Sequence, residues 1–157
     1  MLGILAGIQA GVAGGILMLL YFSLQSLMLH KPWWTMANLL GTAVYGQTAL
    51  WRGLGRATIA GAAFQIIIAG FIGALFGLAN AYSVRLANWT SALLVGLASG
   101  LASFFLCHDW LYGLISPLIP VYAPRSSALI AHLLFGLALS RVTSIYRAMQ
   151  PVTIFSS

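Results

Sequence analysis

The sequence predicts an all-α integral membrane protein, a bundle of four transmembrane helices that pack through small residues. Three observations support this fold class. Hydrophobic residues make up 61% of the 157 residues and charged residues only 5%, whereas a soluble domain is about 25% charged. The few charges lie mostly at the ends of long apolar runs. Those runs do not alternate between apolar and polar residues, as the strands of a membrane β-barrel would.

Four charge-poor runs are each long enough to cross the hydrocarbon core, which takes about 20 residues of helix. We therefore expect residues 1–157 to form a single transmembrane domain. Its helices are expected at about 2–29, 57–82, 89–107 and 126–146. Backbone groups in lipid must find hydrogen-bond partners within their own segment, and this requirement makes each run helical.

Two segments between these runs are less regular. Residues 32–51 carry no charge but contain Asn38, Thr42 and Gln47. This composition predicts an interfacial or re-entrant helix, with a fifth span as the alternative. Residues 109–125 contain three prolines, which predict an extended or turned loop because proline disrupts helix interiors.

Small residues recur at four-residue spacing along the predicted helices, and this spacing keeps them on one helix face. Lipid provides little hydrophobic drive between helices, so such faces favour association through close backbone contact. The predicted helix-packing residues are Gly3, Gly7, Gly11, Gly15, Gly73, Gly77, Gly96, Gly100 and Gly136. We expect the long row in the first helix to pack against the second helix of the same chain.

The five-residue sequence LFGLA occurs twice, at residues 75–79 and 134–138. With four spans, the second and fourth helices run in the same direction. The echo therefore indicates a parallel repeat of two helical hairpins. Chance recurrence in a chain rich in Leu, Ala, Gly and Phe is the alternative.

His132 is the leading candidate for a cofactor ligand. It lies in the fourth predicted helix, four residues before Gly136, and a small neighbour leaves room for the flat ring of a haem or chlorophyll. His30 and His108 lie near helix ends on the same predicted membrane face, so they are further cofactor-binding candidates. A histidine that only bonds a neighbouring helix is the alternative.

The sequence indicates no catalytic residues and no metal cluster. Cys107, His108 and Asp109 are consecutive, and successive residues on a helix point about 100° apart, so their side chains diverge. We expect the third helix to end here, with His108 and Asp109 at the membrane interface. Asp109 is the single acidic residue, and the absence of a carboxylate within a span argues against a proton-coupled pump.

Several motifs together resemble a group of small bacterial membrane proteins of unknown function that are frequent in acidobacterial genomes. The motifs are Gly7-x-x-x-Gly11-x-x-Gly14, Asn38-Leu-Leu-Gly41, Gly73-Ala-Leu-Phe-Gly77, Pro117-x-x-Pro120-x-Tyr122-x-Pro124 and Ala131-His132-Leu-Leu-Phe-Gly136. The resemblance spans most of the chain. It implies a multi-pass protein of the bacterial inner membrane and brings no assigned activity.

Three functional hypotheses follow. The first is a non-enzymatic accessory subunit that packs against a larger energy-transducing or photosynthetic membrane complex, with lipid and other membrane subunits as partners. The second is a homo-oligomeric transporter of small molecules or lipids, with Gln9, Gln65, Ser99 and Ser103 along its path. The third is a haem- or chlorophyll-binding subunit that uses His132. Nucleic acid is not an expected partner, because the seven basic residues are scattered as they are at lipid headgroups.

Overall fold

The computed structural model describes residues 1–82 and 88–150, and these residues form helices and connecting turns without a strand. The predicted fold class is confirmed. Within the described residues, four helices are long and apolar enough to cross a membrane, the pattern of a multi-pass membrane protein. They are Leu2–Met28, Arg56–Asn80, Trp89–Ile115 and Arg125–Ala148.

Shorter helices are placed between and within these spans. The α-helices are α1 (Leu2–Met28), α2 (Thr35–Tyr45), α3 (Arg56–Tyr82), α4 (Trp89–Phe104), α5 (Tyr112–Ile115), α6 (Leu118–Tyr122), α7 (Arg125–Leu139) and α8 (Val142–Ala148). A 3-10 turn covers Gln47–Trp51, and a π-helical turn, Phe105–Leu111, joins α4 to α5. The third span is therefore one rod of α4, the π turn and α5, and the fourth consists of α7 and α8.

The spans pair into two antiparallel hairpins. Helix α1 packs along α3, and α4 packs along α7. Helix α1 also lies against α7 and α8, so it joins the two hairpins. The ends of α1 and α5 and the starts of α3 and α7 fall at one end of the bundle. This end also holds α2 and α6 and is called the loop-rich end below.

Glycines bring α1 and α3 into backbone contact. A methyl group added to Gly7 would lie 2.9 Å from the Cα of Gly77, and one added to Gly11 would lie 2.9 Å from the Cα of Gly73. Non-bonded carbons normally stay about 3.5–4.0 Å apart. Gly3 also lies against Gly77. The glycine row of α1 therefore faces α3 inside the chain.

A second seam of this kind joins α4 to α7. A methyl group added to Gly100 would lie 2.9 Å from the Cα of Gly136, and one added to Gly96 would lie 2.9 Å from the Cβ of Ser140. The small residues on both helices face each other directly. Helix α1 reaches this hairpin through Gly14, which lies against the ring of Phe135.

The third helix does not end near Cys107, and that prediction is wrong. The rod continues to Ile115, and Leu118–Tyr122 forms a further helix, so most of residues 109–125 is helical. Pro117 and Pro124 are compatible with this helical structure because they are the N-cap residues of α6 and α7. A missing backbone N–H costs little at a helix start, where it would have no partner within the helix.

Residues 32–51 form α2 and the 3-10 turn, and a fifth span is wrong for this segment. Helix α2 has 11 residues, and a rise of about 1.5 Å per residue gives it roughly half the thickness of the hydrocarbon core. It packs antiparallel to the start of α3. A methyl group on Gly61 would lie 2.6 Å from the backbone nitrogen of Gly41, so this contact also requires glycine.

Candidate functional site

Buried polar side chains from three spans meet between the two hairpins. Gln65 of α3, Tyr112 of α5 and His132 of α7 are 4%, 6% and 3% exposed. Together with Met18 and Cys107 they line one small cavity, called the central cavity below. At about 1.5 Å per residue, Met18, Gln65, Cys107 and His132 lie roughly 10–15 Å from the loop-rich end of the bundle.

Hydrogen bonds connect α5, α3 and α1 across the central cavity. The Tyr112 hydroxyl donates to Oε1 of Gln65 at 3.2 Å. The Gln65 amide Nε2 lies 3.2 Å from Sδ of Met18 and donates to it. Interhelical hydrogen bonds in membranes contribute on the order of 0.6–2 kcal/mol each. The chain Tyr112–Gln65–Met18 therefore fixes both the position and the rotamers of the cavity wall.

The imidazole of His132 is oriented by its own helix. Its Nδ1 lies 2.8 Å from the carbonyl oxygen of Ala128, one turn earlier. A carbonyl can only accept, so Nδ1 carries the proton of the neutral ring and Nε2 is left with its lone pair. The His132 ring also contacts Phe104 edge-on, with centroids 5.7 Å apart.

Two of the three predicted histidines come together around Phe104. The His108 ring stacks on Phe104 at 5.2 Å between centroids, and the His132 ring contacts Phe104 edge-on. The Arg125 guanidinium lies 5.6 Å from the centre of the same ring. His30 is exposed, just beyond the end of α1, and its backbone has φ of 55°. It takes no part in this aromatic cluster.

The structure does not provide the space that a haem or chlorophyll at His132 would need. The gap that Gly136 leaves is filled by α4, since a methyl group on Gly136 would lie 3.0 Å from the Cα of Leu97. The free space in the central cavity is about that of one water molecule. A flat macrocycle therefore has no room beside His132 in this packing.

Cys107 and His108 face the interior of the bundle, whereas Asp109 faces outward. Cys107 and His108 are buried, at 1% and 6% exposure, while Asp109 is exposed and pairs with Arg125 at 2.8 Å. Consecutive Cys107 and His108 both face inward within the π-helical turn, and such turns are frequent at functional sites. His108, which was expected at the membrane interface, is buried inside the bundle. The three side chains do not converge, since Asp109 faces outward.

A second polar network ties α2 to its neighbours at the loop-rich end. The fully buried Asn38 donates to the Arg52 carbonyl at 2.6 Å and accepts from the Thr58 hydroxyl at 2.6 Å. The hydroxyls of Thr42 and Ser116 are 2.6 Å apart. These bonds satisfy groups that would otherwise be costly to bury, so they explain the polar composition of α2.

The four residues expected along a transport path are divided between the interior of the bundle and its surface. Gln65 and Ser103 line the central cavity, and Ser103 uses its hydroxyl on the Gly100 carbonyl of its own helix at 2.7 Å. Ser99 is half-buried, and Gln9 is exposed on the outer face of α1. The sequence pattern did not indicate Met18 or Tyr112, because their positions depend on how three separate helices are rotated.

Comparisons with known proteins give no match: no family model, no curated protein and no solved structure matches the chain. In the part of the chain that the structure describes, no three His, Cys, Asp or Glu side chains form a metal-binding group. Two features of the structure bear on function: the buried polar residues of the central cavity and the exposed side chain of Gln9.

Proposed function

We propose that this protein is a non-enzymatic subunit of the bacterial inner membrane that docks onto a larger membrane complex through the outer face of α1. The exposed amide of Gln9 on that face supports the proposal most directly. The bacterial location rests on the resemblance given above. The multi-pass topology rests on the four apolar helices.

Gln9 lies where lipid would be its only neighbour. It is about 10 Å from the start of α1, given a rise of about 1.5 Å per residue. Leu5, Ile16 and Leu20 share the exposed face at 49%, 44% and 60% exposure. A primary amide has no hydrogen-bond partner in hydrocarbon, and leaving it unpaired is costly. A polar group on a helix of another chain removes that cost.

The residue one turn after Gln9 makes close docking feasible. Ala13 is exposed on the same face, and a small residue lets a partner backbone approach. The glycine rows of α1, α3, α4 and α7 are occupied by one another within the chain. Docking therefore uses Gln9 and Ala13, called the Gln9 face here, rather than the glycine rows that first suggested an accessory subunit.

The outer face of α3 has the opposite composition. Ile59, Ile67, Phe71 and Leu75 are 71%, 69%, 64% and 52% exposed, and each presents a large apolar side chain. Such a surface is compatible with lipid chains and makes no polar demand. It provides a matched control for docking at α1.

Site-specific photo-crosslinking in cells tests the proposal. A photoreactive residue at Ala13 is expected to give a discrete adduct with a different membrane protein, which mass spectrometry then identifies. The same residue at Ile67 is expected to give none. Gln9→Leu is expected to weaken copurification of the partner roughly threefold to thirtyfold, the value of one membrane hydrogen bond.

Two outcomes contradict the proposal. An adduct at Ala13 that contains only a second copy of this chain favours the homo-oligomer. Equal labelling from Ala13 and Ile67, with no defined partner, indicates that both faces contact lipid.

A further inference from the structure

The central cavity is lined by three side chains with soft or borderline metal-ligating atoms, each from a different span. They are Met18 of α1, Cys107 of the π-helical turn and His132 of α7, and they are 3%, 1% and 3% exposed. We propose that the central cavity binds a soft monovalent metal ion, Cu(I), through Sδ of Met18, Sγ of Cys107 and Nε2 of His132. This proposal is independent of docking at the Gln9 face.

The donor set selects for this kind of metal. Thiolate and thioether sulfur favour Cu(I), and imidazole is a common ligand of copper. Hard cations such as Mg²⁺ and Ca²⁺ need oxygen ligands, chiefly carboxylates. The single carboxylate of the chain, Asp109, is exposed and paired with Arg125. The cavity therefore offers sulfur and nitrogen without a carboxylate.

His132 already has the orientation of a metal ligand. A histidine that binds a metal through one nitrogen usually donates the other N–H to a carbonyl or carboxylate, which fixes the ring and its tautomer. The Nδ1 contact with the Ala128 carbonyl at 2.8 Å provides this bond. Nε2 is the nitrogen left to coordinate an ion.

Charge neutrality makes binding at this depth feasible. Coordination replaces the thiol proton, so that Cu⁺ and the Cys107 thiol give a Cu(I)–thiolate bond and one released H⁺. The metal and the thiolate together carry no net charge, and the large cost of burying an isolated ion is avoided. Zn²⁺ with the same single thiolate would leave a net positive charge and would favour a fourth ligand.

The size of the central cavity fits a bare ion. Its free space is about that of one water molecule, which is enough for an ion and too little for an organic ligand. A second cavity adjoins it and shares Met18 and His132. That cavity adds Met36 and His108, so further sulfur and imidazole groups lie beside the proposed site.

Competition titration of the full chain in detergent tests the site. Under anaerobic conditions, Cu(I) is titrated against a chromophoric Cu(I) chelator. One tightly held ion per chain is expected, with Ag(I) competing and Zn(II) not competing. Cys107→Ser, Met18→Leu and His132→Gln are each expected to weaken binding by at least about tenfold.

Exposed residues of the same types provide matched controls. Met28 is 74% exposed at the end of α1, and His30 is exposed just beyond it. Met28→Leu and His30→Gln are expected to keep wild-type affinity. The site is ruled out if no stoichiometric Cu(I) binds, if the controls weaken binding as much as the cavity variants, or if Zn(II) competes equally.

X-ray absorption on the wild-type protein keeps the proposal testable if the cavity variants fail to fold. Copper-loaded protein is expected to show sulfur and imidazole nitrogen in the first coordination shell. A shell of oxygen or nitrogen alone overturns the assignment.

Discussion

The helices of each hairpin meet along a seam of small residues, but the two hairpins differ in the residue four positions before a matching glycine. In the LFGLA echo, Gly77 of α3 corresponds to Gly136 of α7, and each lies against glycines of its partner helix. Four residues earlier, α3 has Gly73 and α7 has His132. Gly73 continues the backbone contact with α1, whereas His132 directs an imidazole into the central cavity. At this position the first hairpin has only a packing residue, whereas the second has a side chain that enters the central cavity.

This difference shows how a helix bundle can place a polar side chain in its interior while the backbones of neighbouring helices stay in contact. In the second hairpin, the His132 backbone still reaches Gly100, and only the side chain departs from the glycine pattern. Because an added polar side chain in a membrane must find partners, His132 bonds to its own helix and packs on Phe104. Substitutions can therefore separate seam effects from cavity effects.

The largest expected effect is a large side chain in the α1–α3 seam. Gly7→Leu and Gly11→Leu place carbon atoms where α3 has backbone, which is rigid and has no rotamer to adjust. We expect loss of the monodisperse folded protein, measured by size-exclusion chromatography in detergent. Gly113→Leu is the control, since nothing lies within 4 Å of a methyl group there. If the seam variants stay folded and only lose a partner, this glycine row faces outward instead.

An intermediate effect distinguishes the two seams. Gly11→Ala and Gly100→Ala each bring a methyl group to 2.9 Å from a Cα of the facing helix. Both are expected to lower the free energy of unfolding by about 1–3 kcal/mol, measured by titration with a denaturing detergent. Because Gly100 lies directly against the His132 backbone, whereas Gly11 is about two helical turns from Met18, Gly100→Ala should weaken Cu(I) binding more than Gly11→Ala. Equal Cu(I) affinity in both variants would mean that the α4–α7 seam has no special influence on metal binding.

The smallest expected effect tests the bond between the hairpins. Tyr112→Phe removes the hydroxyl that donates to Gln65, and we expect a loss of about 0.6–2 kcal/mol in the same unfolding assay. Tyr122→Phe is the control, because Tyr122 is 49% exposed. A loss as large for Tyr122→Phe as for Tyr112→Phe would mean that the Tyr112–Gln65 bond has no specific role.

The fold class was predictable because composition and run length determine it in lipid. The partner helix of the α1 glycine row was also foreseeable, since four-residue spacing defines a face and the next helix is the nearest candidate. Gly41 and Gly61 were not recognised as packing residues, although each has an alanine four residues before it, Ala37 and Ala57. Their contact depends on the depth at which α2 meets α3, and no local pattern encodes that depth.

The central cavity was harder to predict than the fold. His132 and Gln65 could be named from their polarity within apolar runs, but Met18 and Cys107 match the apolar background. Tyr112 was assigned to a loop because the nearby prolines were interpreted as helix breakers. Two of these prolines, Pro117 and Pro124, instead lie at the starts of helices. The π-helical turn, which helps direct Cys107 and His108 inward, leaves no periodic signal over so short a segment.

The buried bonds of Asn38 have a consequence for the order of synthesis. Both partners of the amide, the Arg52 carbonyl and the Thr58 hydroxyl, follow α2 in the chain. Gly61, which α2 needs for close contact, is made later still. When α2 leaves the ribosome, the Asn38 amide therefore has neither of these partners, and a short helix with an unpaired amide is poorly suited to insert alone. We therefore expect α2 to make its native contacts only after α3 has been synthesised.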